Sequence, residues 1–208
     1  MKLVVLGATG GIGMEVIRQA ITRGHSVTAV ARAPELLNKF AARIELVRAN
    51  LLNCGELKGA IAGHDVVLSA FGPRTPIRKD DAHLLRDFAK SLTCAMTHAE
   101  VSRVVMVSVA FLFKNAMVPP AYLLGKLLFP QVVTDSAAME QVFETSGLDW
   151  TIVRPPQLTD GPGTGRYRMG EGRLPAFGFK ISRADVADFM IQAAEKRLSI
   201  RKVIGICN

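Results

Sequence analysis

The chain is poor in cysteine: its 208 residues include only Cys54, Cys94 and Cys207. They are odd in number and far apart in the sequence. No Cys-x-x-Cys pair or cysteine–histidine cluster stands out, which argues against a disulfide framework and a metal site. We therefore predict reduced thiols and no bound metal.

Long hydrophobic runs are also missing. The most apolar region, residues 110–134, is broken by charged residues and prolines. Its uncharged runs are shorter than the roughly twenty residues that cross a bilayer. The first residues lack the charged and then apolar regions of a signal peptide. We expect no membrane span and a cytoplasmic location.

Basic residues are in excess, but no basic run occurs. The formal net charge is +8, and the lysines and arginines are scattered along the chain. Scattered charge does not favour a nucleic-acid partner, whereas a basic field would steer an anionic dinucleotide into a cleft. The four histidines have neither a Ser/His/Asp spacing nor a metal-ligand spacing.

The most informative stretch is a glycine-rich turn near the N-terminus. An apolar run ends at Gly7, Gly10 and Gly13 follow, and a helical pattern begins. A strand that runs into such a turn and a helix N-terminus typically holds a dinucleotide pyrophosphate. Gly7 would allow the tight turn, Gly10 the close approach of the phosphates, and Gly13 the close packing of the helix. The Gly-x-x-Gly-x-x-Gly spacing differs from the Gly-x-Gly-x-x-Gly of most dehydrogenases.

Apolar strand-like runs alternate with helical patterns along the rest of the chain. Strands are predicted at residues 26–31, 44–47, 65–71, 103–109, 149–153 and 203–206. Several are continuous apolar runs, which is typical of parallel sheets covered on both faces. We predict one α/β domain over residues 1–208, with a Rossmann-like doubly wound parallel sheet and a small C-terminal substrate lobe. The loops at residues 110–134 and 155–180 would form its substrate side.

Arg32 directly follows the second predicted strand. An acidic residue there accepts a hydrogen bond from the ribose 2′-hydroxyl of NAD, whereas an arginine suits the 2′-phosphate of NADP. We therefore predict NADPH in preference to NADH. The ends of the third and fourth strands provide further candidates for the cofactor cleft, namely Asn50, Leu51, Phe71, Gly72 and Arg74.

Taken in order, these motifs resemble the atypical short-chain dehydrogenase/reductases of the NmrA-like group. Within that group they are most similar to the biliverdin reductase B/flavin reductase branch. The resemblance rests on residues 7–13 (GATGGIG), 31–32 (AR), 65–67 (DVV), 103–108 (RVVMVS), 147–156 (GLDWTIVRPP) and 182–187 (SRADVA). It covers nearly the whole chain.

The resemblance implies a small NADPH-binding oxidoreductase, a monomer or homodimer that acts on a small-molecule acceptor. It assigns the pyrophosphate to Thr9, Gly10, Gly11 and Ile12, beside Gly7 and Gly13, and the 2′-phosphate to Arg32. It assigns adenine to Asn50 and Leu51, and the cofactor cleft to Phe71, Gly72 and Arg74. Val107, Ser108, Pro155, Pro156 and Gln157 would lie near the nicotinamide, with Ser108 as a candidate catalytic residue.

Three departures from the branch bear on the acceptor. The branch has aspartate where this chain has Asn50, serine where it has Val109, and histidine where it has Gln157. An amide can still meet adenine, so cofactor binding is expected to survive. The other two changes disfavour reduction of a bilin. A flavin, a quinone or a similar conjugated acceptor is favoured because its proton can come from water.

Two alternatives remain open at this stage. Tyr122 and Lys126 form the Tyr-x-x-x-Lys pattern of conventional short-chain dehydrogenases, which with Ser108 would make a carbonyl reductase. A non-catalytic, NmrA-like regulator that senses dinucleotides would need only the glycine turn.

Overall fold

The fold, seen in a computed structural model, is described for residues 1–72, 83–113 and 130–208. The strands are β1 Lys2–Leu6, β2 Ser26–Ala31, β3 Glu45–Arg48, β4 Val66–Ser69, β5 Arg103–Val107, β6 Asp149–Arg154, β7 Gln157–Thr159, β8 Arg168–Glu171, β9 Lys180–Ser182 and β10 Lys202–Cys207. The α-helices are α1 Gly11–Thr22, α2 Cys54–Ile61, α3 Leu84–His98, α4 Pro130–Glu144 and α5 Arg183–Glu195. Short 3₁₀ helices cover Pro34–Phe40 and Ala110–Leu112.

Eight strands form one sheet in the order β3-β2-β1-β4-β5-β6-β10-β8. The pairs from β3 to β10 are parallel, and only β8 runs antiparallel, against β10. The chain moves outward from β1 to β3, crosses back, and continues from β4 on the other side of β1. This reversal places the carboxyl ends of β1 and β4 side by side, which is where open α/β sheets bind their ligands. The predicted Rossmann-like sheet is confirmed.

The sheet is covered on both faces because its strands alternate buried side chains between two apolar layers. In β1, Leu3 and Val5 join the layer of α1 and α5, whereas Val4 and Leu6 join the layer of α2, α3 and α4. Neighbouring side chains in a strand point to opposite faces, so a run buried on both faces needs no polar alternation.

The C-terminal lobe is more structured than its sequence indicated. Strands β7 and β9 form a separate parallel pair, and β8 forms the edge of the main sheet. The predicted parallel sheet thus has one additional antiparallel strand at this edge. Helix α4 also begins at Pro130, inside the predicted loop at 110–134.

A buried arginine connects the centre of the sheet to the C-terminal helix. Arg103 is 1% exposed, and its guanidinium donates to the carbonyl oxygens of Asp149, Ala193 and Leu198 at 2.7–2.9 Å. It also donates to Thr151 Oγ1. Burial lowers the pKa of Arg103 to about 10, helped by the nearby Arg197 charge. Carbonyl oxygens therefore solvate this cation in the place of water.

The prediction of reduced thiols was wrong for two of the three cysteines. Cys54 and Cys94 form a disulfide between α2 and α3, while Cys207 is a buried free thiol. The two are 40 residues apart in sequence. They meet because both helices pack on the same face of the sheet, a contact that sequence spacing does not reveal.

None of the helices in the described ranges is long and apolar enough to cross a membrane.

Candidate functional site

The glycine-rich turn between β1 and α1 has the tight geometry expected of it. Gly7 has φ +71°, and a Cβ there would lie 2.6 Å from the backbone of Ala70 and Phe71. A Cβ on Gly13 would lie 2.3 Å from the carbonyl oxygen of Gly7. Because each position excludes a side chain, these two glycines let β1, the end of β4 and α1 approach closely.

Helix α1 begins without a side-chain cap. Gly10 is its N-cap residue, and its first turn has no acidic residue. The first N–H groups of a helix have no partner inside the helix, and the helix dipole gives this end a partial positive charge. The backbone of Gly11, Ile12 and Gly13 therefore offers donors suited to a phosphate, with Thr9 half-buried in the turn beside them.

An arginine from the far end of the chain lies over this turn. A Cβ on Gly11 would be 2.6 Å from Cδ and 2.8 Å from Nε of Arg183, the first residue of α5. Arg183 Nη1 donates to Asp160 at 2.5 Å, and that carboxylate is 90% exposed. Sequence reasoning did not identify Arg183 as a site residue, since nothing in the spacing indicates that α5 begins beside α1.

The predicted adenosine residues lie at the same edge of the sheet. Arg32 follows β2 and is exposed, and no carboxylate of the described ranges forms a salt bridge with it. The nearest acid in sequence, Glu35, is paired with Arg48. Asn50 Oδ1 accepts from Leu52 N at 3.1 Å, and the side chain of Leu51 is buried. The turn thus holds Asn50 at the surface beyond β3.

The other side of the cleft consists of the ends of β4, β5 and β6. Phe71 follows β4 and packs on Phe88 with ring centroids 4.5 Å apart, which leaves Gly72 exposed beside it. Ser108 follows β5, and its N–H donates to the carbonyl oxygen of Val153 at 2.8 Å. The Ser108 hydroxyl is buried without a hydrogen-bond partner in the structure as described.

The remaining residues predicted near the nicotinamide differ in how far they are buried. Val107 is half-buried at the end of β5, Pro155 is buried and Pro156 half-buried beyond β6. Gln157 begins β7 and is exposed, held through its N–H to the carbonyl oxygen of Phe179. Arg74, Tyr122 and Lys126 lie outside the described residues.

A buried ion pair stands at the end of β6. Arg154 pairs with Glu140 of α4 through both ends of its guanidinium, and Glu140 is 3% exposed. The guanidinium lies 4.6 Å from the ring centroid of Phe113. The charge of Arg154 is therefore neutralised. This side of the cleft presents an aromatic and aliphatic surface and not a free positive charge.

Comparison with known proteins decides the family. A model of an NAD(P)H-binding family matches residues 7–197, which is most of the chain. The chain belongs to this NAD(P)H-binding family. The earlier resemblance to NmrA-like, atypical short-chain dehydrogenase/reductases agrees with that membership.

Relatives of this NAD(P)H-binding protein include plant and bacterial proteins. An uncharacterised chloroplastic protein of Arabidopsis thaliana is 30% identical over 219 residues, covering 99% of this chain and 76% of that protein. The solved structure of a Burkholderia pseudomallei protein described as exported is 30% identical, with full coverage of both chains and a TM-score of 0.83. With chloroplastic and exported relatives, the cytoplasmic location stays a prediction.

Reductases occur among these relatives. The divinyl chlorophyllide a 8-vinyl-reductase of Cucumis sativus is 26% identical over 231 residues, which are 99% of this chain and 52% of that enzyme. The chain therefore spans about half the length of that reductase. The family membership gives a nicotinamide dinucleotide as the cofactor.

Proposed function

We propose that this protein is an NADPH-dependent reductase of a flavin, a quinone or a similar conjugated acceptor. The observation that carries the proposal is the uncapped start of α1 beneath Arg183, at the same sheet edge as Arg32. Two cations and a row of backbone donors make this edge complementary to a dinucleotide that carries an extra phosphate.

The residues present fit such a cofactor. The N–H groups of Gly11 and Ile12 and the Arg183 guanidinium would hold the pyrophosphate, and Arg32 would hold the 2′-phosphate. Asn50 already uses its side-chain oxygen within its own turn, so its Nδ2 group would be the one to donate to adenine. When bound, the cofactor supplies a hydride.

The residues proposed to lie beside the electron acceptor are better suited to positioning that acceptor than to transferring a proton to it. Beside Val107 and Ser108 stand Pro155 and the Arg154–Glu140 pair, whose charges cancel. Among the described residues, the buried Ser108 hydroxyl at this end has no hydrogen-bond partner. A conjugated acceptor takes its proton from water, so one orienting hydroxyl suffices. The kinship with a reductase of a conjugated vinyl group supports this class of acceptor.

The test is turnover with a panel of acceptors. The purified protein is mixed with NADPH and FMN, FAD, riboflavin, quinones or simple ketones, and NADPH oxidation is followed at 340 nm. Turnover with flavins or quinones but not with ketones is the expected result. Tight NADPH binding without turnover of any acceptor would instead indicate a dinucleotide-sensing regulator, a candidate favoured by Val109 and Gln157 in the places of serine and histidine.

The Tyr122→Phe variant separates the proposal from a carbonyl reductase. Loss of a phenol that protonates a carbonyl oxygen typically costs about a hundredfold to ten-thousandfold in rate. We expect this variant to keep flavin or quinone turnover within a few-fold of the parent. A loss of the larger size, repeated in Lys126→Met with the fold intact, would assign catalysis to Ser108, Tyr122 and Lys126.

A further inference from the structure

A second chemical site lies outside the cofactor cleft, between α2 and α3. It consists of the Cys54–Cys94 disulfide and His98, whose Nδ1 lies 3.8 Å from Cys54 Sγ and 3.6 Å from Cys94 Sγ. One ligand atom from each of the three residues fits within 4.8 Å. We propose that this cluster is a reversible thiol–disulfide exchange site for low-molecular-weight thiols of the glutathione type.

Both cysteines of the disulfide are partly exposed, as the approach of a small thiol requires. Cys54 and Cys94 are each half-buried and His98 is exposed, whereas the third cysteine, Cys207, is 0% exposed. Exchange needs a line of approach to one sulfur, and the rim of the α2–α3 contact provides it. A bond at this rim differs from a structural disulfide enclosed in a core.

The packing of α2 on α3 does not depend on the bond. The buried residues Leu57 and Ile61 of α2 and Phe88 and Leu92 of α3 belong to one apolar layer. This layer holds the two helices on the sheet whether or not the sulfurs are joined. The disulfide can therefore open while the fold stays intact, which a reversible site requires.

Cys54 is the sulfur better suited to leave as a thiolate. It is the first residue of α2, whose N-cap Asn53 accepts from Glu56 N at 3.1 Å. A helix N-terminus and a neighbouring imidazole that donates a hydrogen bond both stabilise a thiolate. Cys94 lies within α3 and has the imidazole but not the helix end. The one acid of the first turn, Glu56, is occupied by the N–H of Asn50 at 2.8 Å.

The exchange reaction balances without any group from the cofactor site. A thiolate RS⁻ attacks Cys94 Sγ, the S–S bond breaks, and Cys54 leaves as a thiolate that takes a proton from water or from His98. A second RS⁻ attacks the external sulfur of the mixed disulfide, forming RSSR and releasing Cys94 as a thiolate. The protein disulfide and two RSH thus become two protein thiols and one RSSR. In reoxidation, the Cys54 thiolate attacks the mixed disulfide on Cys94.

The first experiment is a redox titration of the native, full-length protein. It is equilibrated in reduced and oxidised glutathione at varied ratios, quenched in acid, alkylated and mapped by mass spectrometry. Expected is the joint appearance of thiols at Cys54 and Cys94, reversed by oxidised glutathione, with an unchanged circular dichroism spectrum and unreactive Cys207. A bond that resists 10 mM dithiothreitol until the protein unfolds would overturn the proposal, as would thiols that oxidised glutathione never joins.

The second experiment compares the two thiols. Cys54 in a C94S variant should react with 5,5′-dithiobis(2-nitrobenzoate) about tenfold faster than Cys94 in a C54S variant, because thiolate stabilisation raises the reactive fraction. Adding His98→Gln to C94S should slow Cys54 several-fold, whereas His64→Gln, a matched change elsewhere, should not. Equal rates, or no effect of His98→Gln, would contradict the proposed roles.

Tight binding of a metal ion to the reduced cysteines would also overturn the proposal. If the reduced protein binds one Zn²⁺ so tightly that both thiols are protected from alkylation and from oxidised glutathione, the cluster is a metal site. Neither readout uses a dinucleotide, so failure here leaves the proposed reductase function untouched.

Discussion

Helices α1 and α5 begin side by side, yet their first turns are opposite in character. The first turn of α1 has no acidic residue and no side-chain cap. That of α5 is capped by Ser182, whose hydroxyl accepts from Asp185 N at 3.0 Å. Both ends have the same backbone donors and the same dipole. The side chains alone therefore decide which end can receive an anion from solution.

Asp185 connects the start of α5 to two other segments of the chain by hydrogen bonds. Its carboxylate accepts from Thr164 N at 2.7 Å, Gly165 N at 2.9 Å and Asn208 Nδ2 at 3.0 Å. Burial raises the pKa of Asp185, but the hydrogen bonds from Asn208, Gly165, Thr164 and Ser182 outweigh it and hold the pKa below its ordinary value. One helix end thus binds an anion that belongs to the chain, while the other is left for a ligand.

The largest effect is expected from Gly10→Val at the start of α1. A Cβ on Gly10 meets only the Gly7 carbonyl oxygen, at 3.3 Å, so the fold should tolerate the change. The branched side chain would cover the approach to the phosphates. Losing two hydrogen bonds to a charged group corresponds to about a hundredfold in affinity. NADPH binding is measured by fluorescence titration, with thermal unfolding as the control for folding.

Gly13→Ala provides the contrast to Gly10→Val. Its Cβ would meet backbone at 2.3 Å, so this variant should lose stability as well as binding. A folded Gly10→Val protein that binds NADPH like the parent would contradict the proposal that the start of α1 binds the phosphates.

The second effect concerns Asp185→Asn at the start of α5. The amide presents N–H groups to several donors, and we expect a loss of about 3 kcal/mol in unfolding free energy at pH 7. Because the folded pKa of Asp185 is depressed, its contribution is complete above the unfolded pKa of about 3.9 and is lost as the pH falls through the folded pKa. The difference in unfolding free energy between parent and variant, measured in urea, should therefore narrow as the pH falls below about 4. An equal gap at pH 7 and pH 3 would contradict this role.

Arg32→Asp should change the choice of cofactor. Removing the cation that faces the 2′-phosphate, and adding an acceptor for a 2′-hydroxyl, should weaken NADPH about tenfold or more and spare or improve NADH. Arg43→Asp is the matched control, since Arg43 lies at the opposite edge of the sheet with Lys2 and Ser26. Equal losses in both variants would show that only the overall charge matters.

The smallest effect is expected from Arg183→Gln, which tests the residue that joins the two helix starts. The side chain is partly exposed and shares its charge with Asp160, so its loss should weaken NADPH only a few-fold. Asp160→Asn, which frees the guanidinium, should strengthen NADPH slightly. Isothermal titration at low salt measures both changes, and identical affinities in all three proteins would remove Arg183 from the site.

Sequence reasoning was most successful where a signal is local. The β1 run into Gly7 and the placement of Arg32 after β2 each depend on neighbours in the chain. Strand β8 was missed because its four residues are mostly exposed and have no apolar alternation.

Tertiary contacts explain the other omissions. Arg183 reaches Gly11, and Cys54 reaches Cys94, only because their helices share a face of the sheet. The start of α3 also has a partner that is distant in the sequence. Asp135 of α4 accepts from Leu85 N at 2.7 Å and from Arg86 N at 3.1 Å. No spacing within one segment encodes such a partner.

The buried Arg103 also couples the centre of the sheet to a segment that follows much later in the sequence. Strands β1 to β5 are made well before Ala193 and Leu198, whose carbonyl oxygens receive two of its hydrogen bonds. An arginine enclosed without those acceptors would cost several kcal/mol. Without α5 and the turn after it, the enclosed guanidinium lacks two of its acceptors, so the packed centre of the sheet is favourable only with that segment in place. Formation of the centre of the sheet is therefore coupled to the docking of α5 and the turn that follows it.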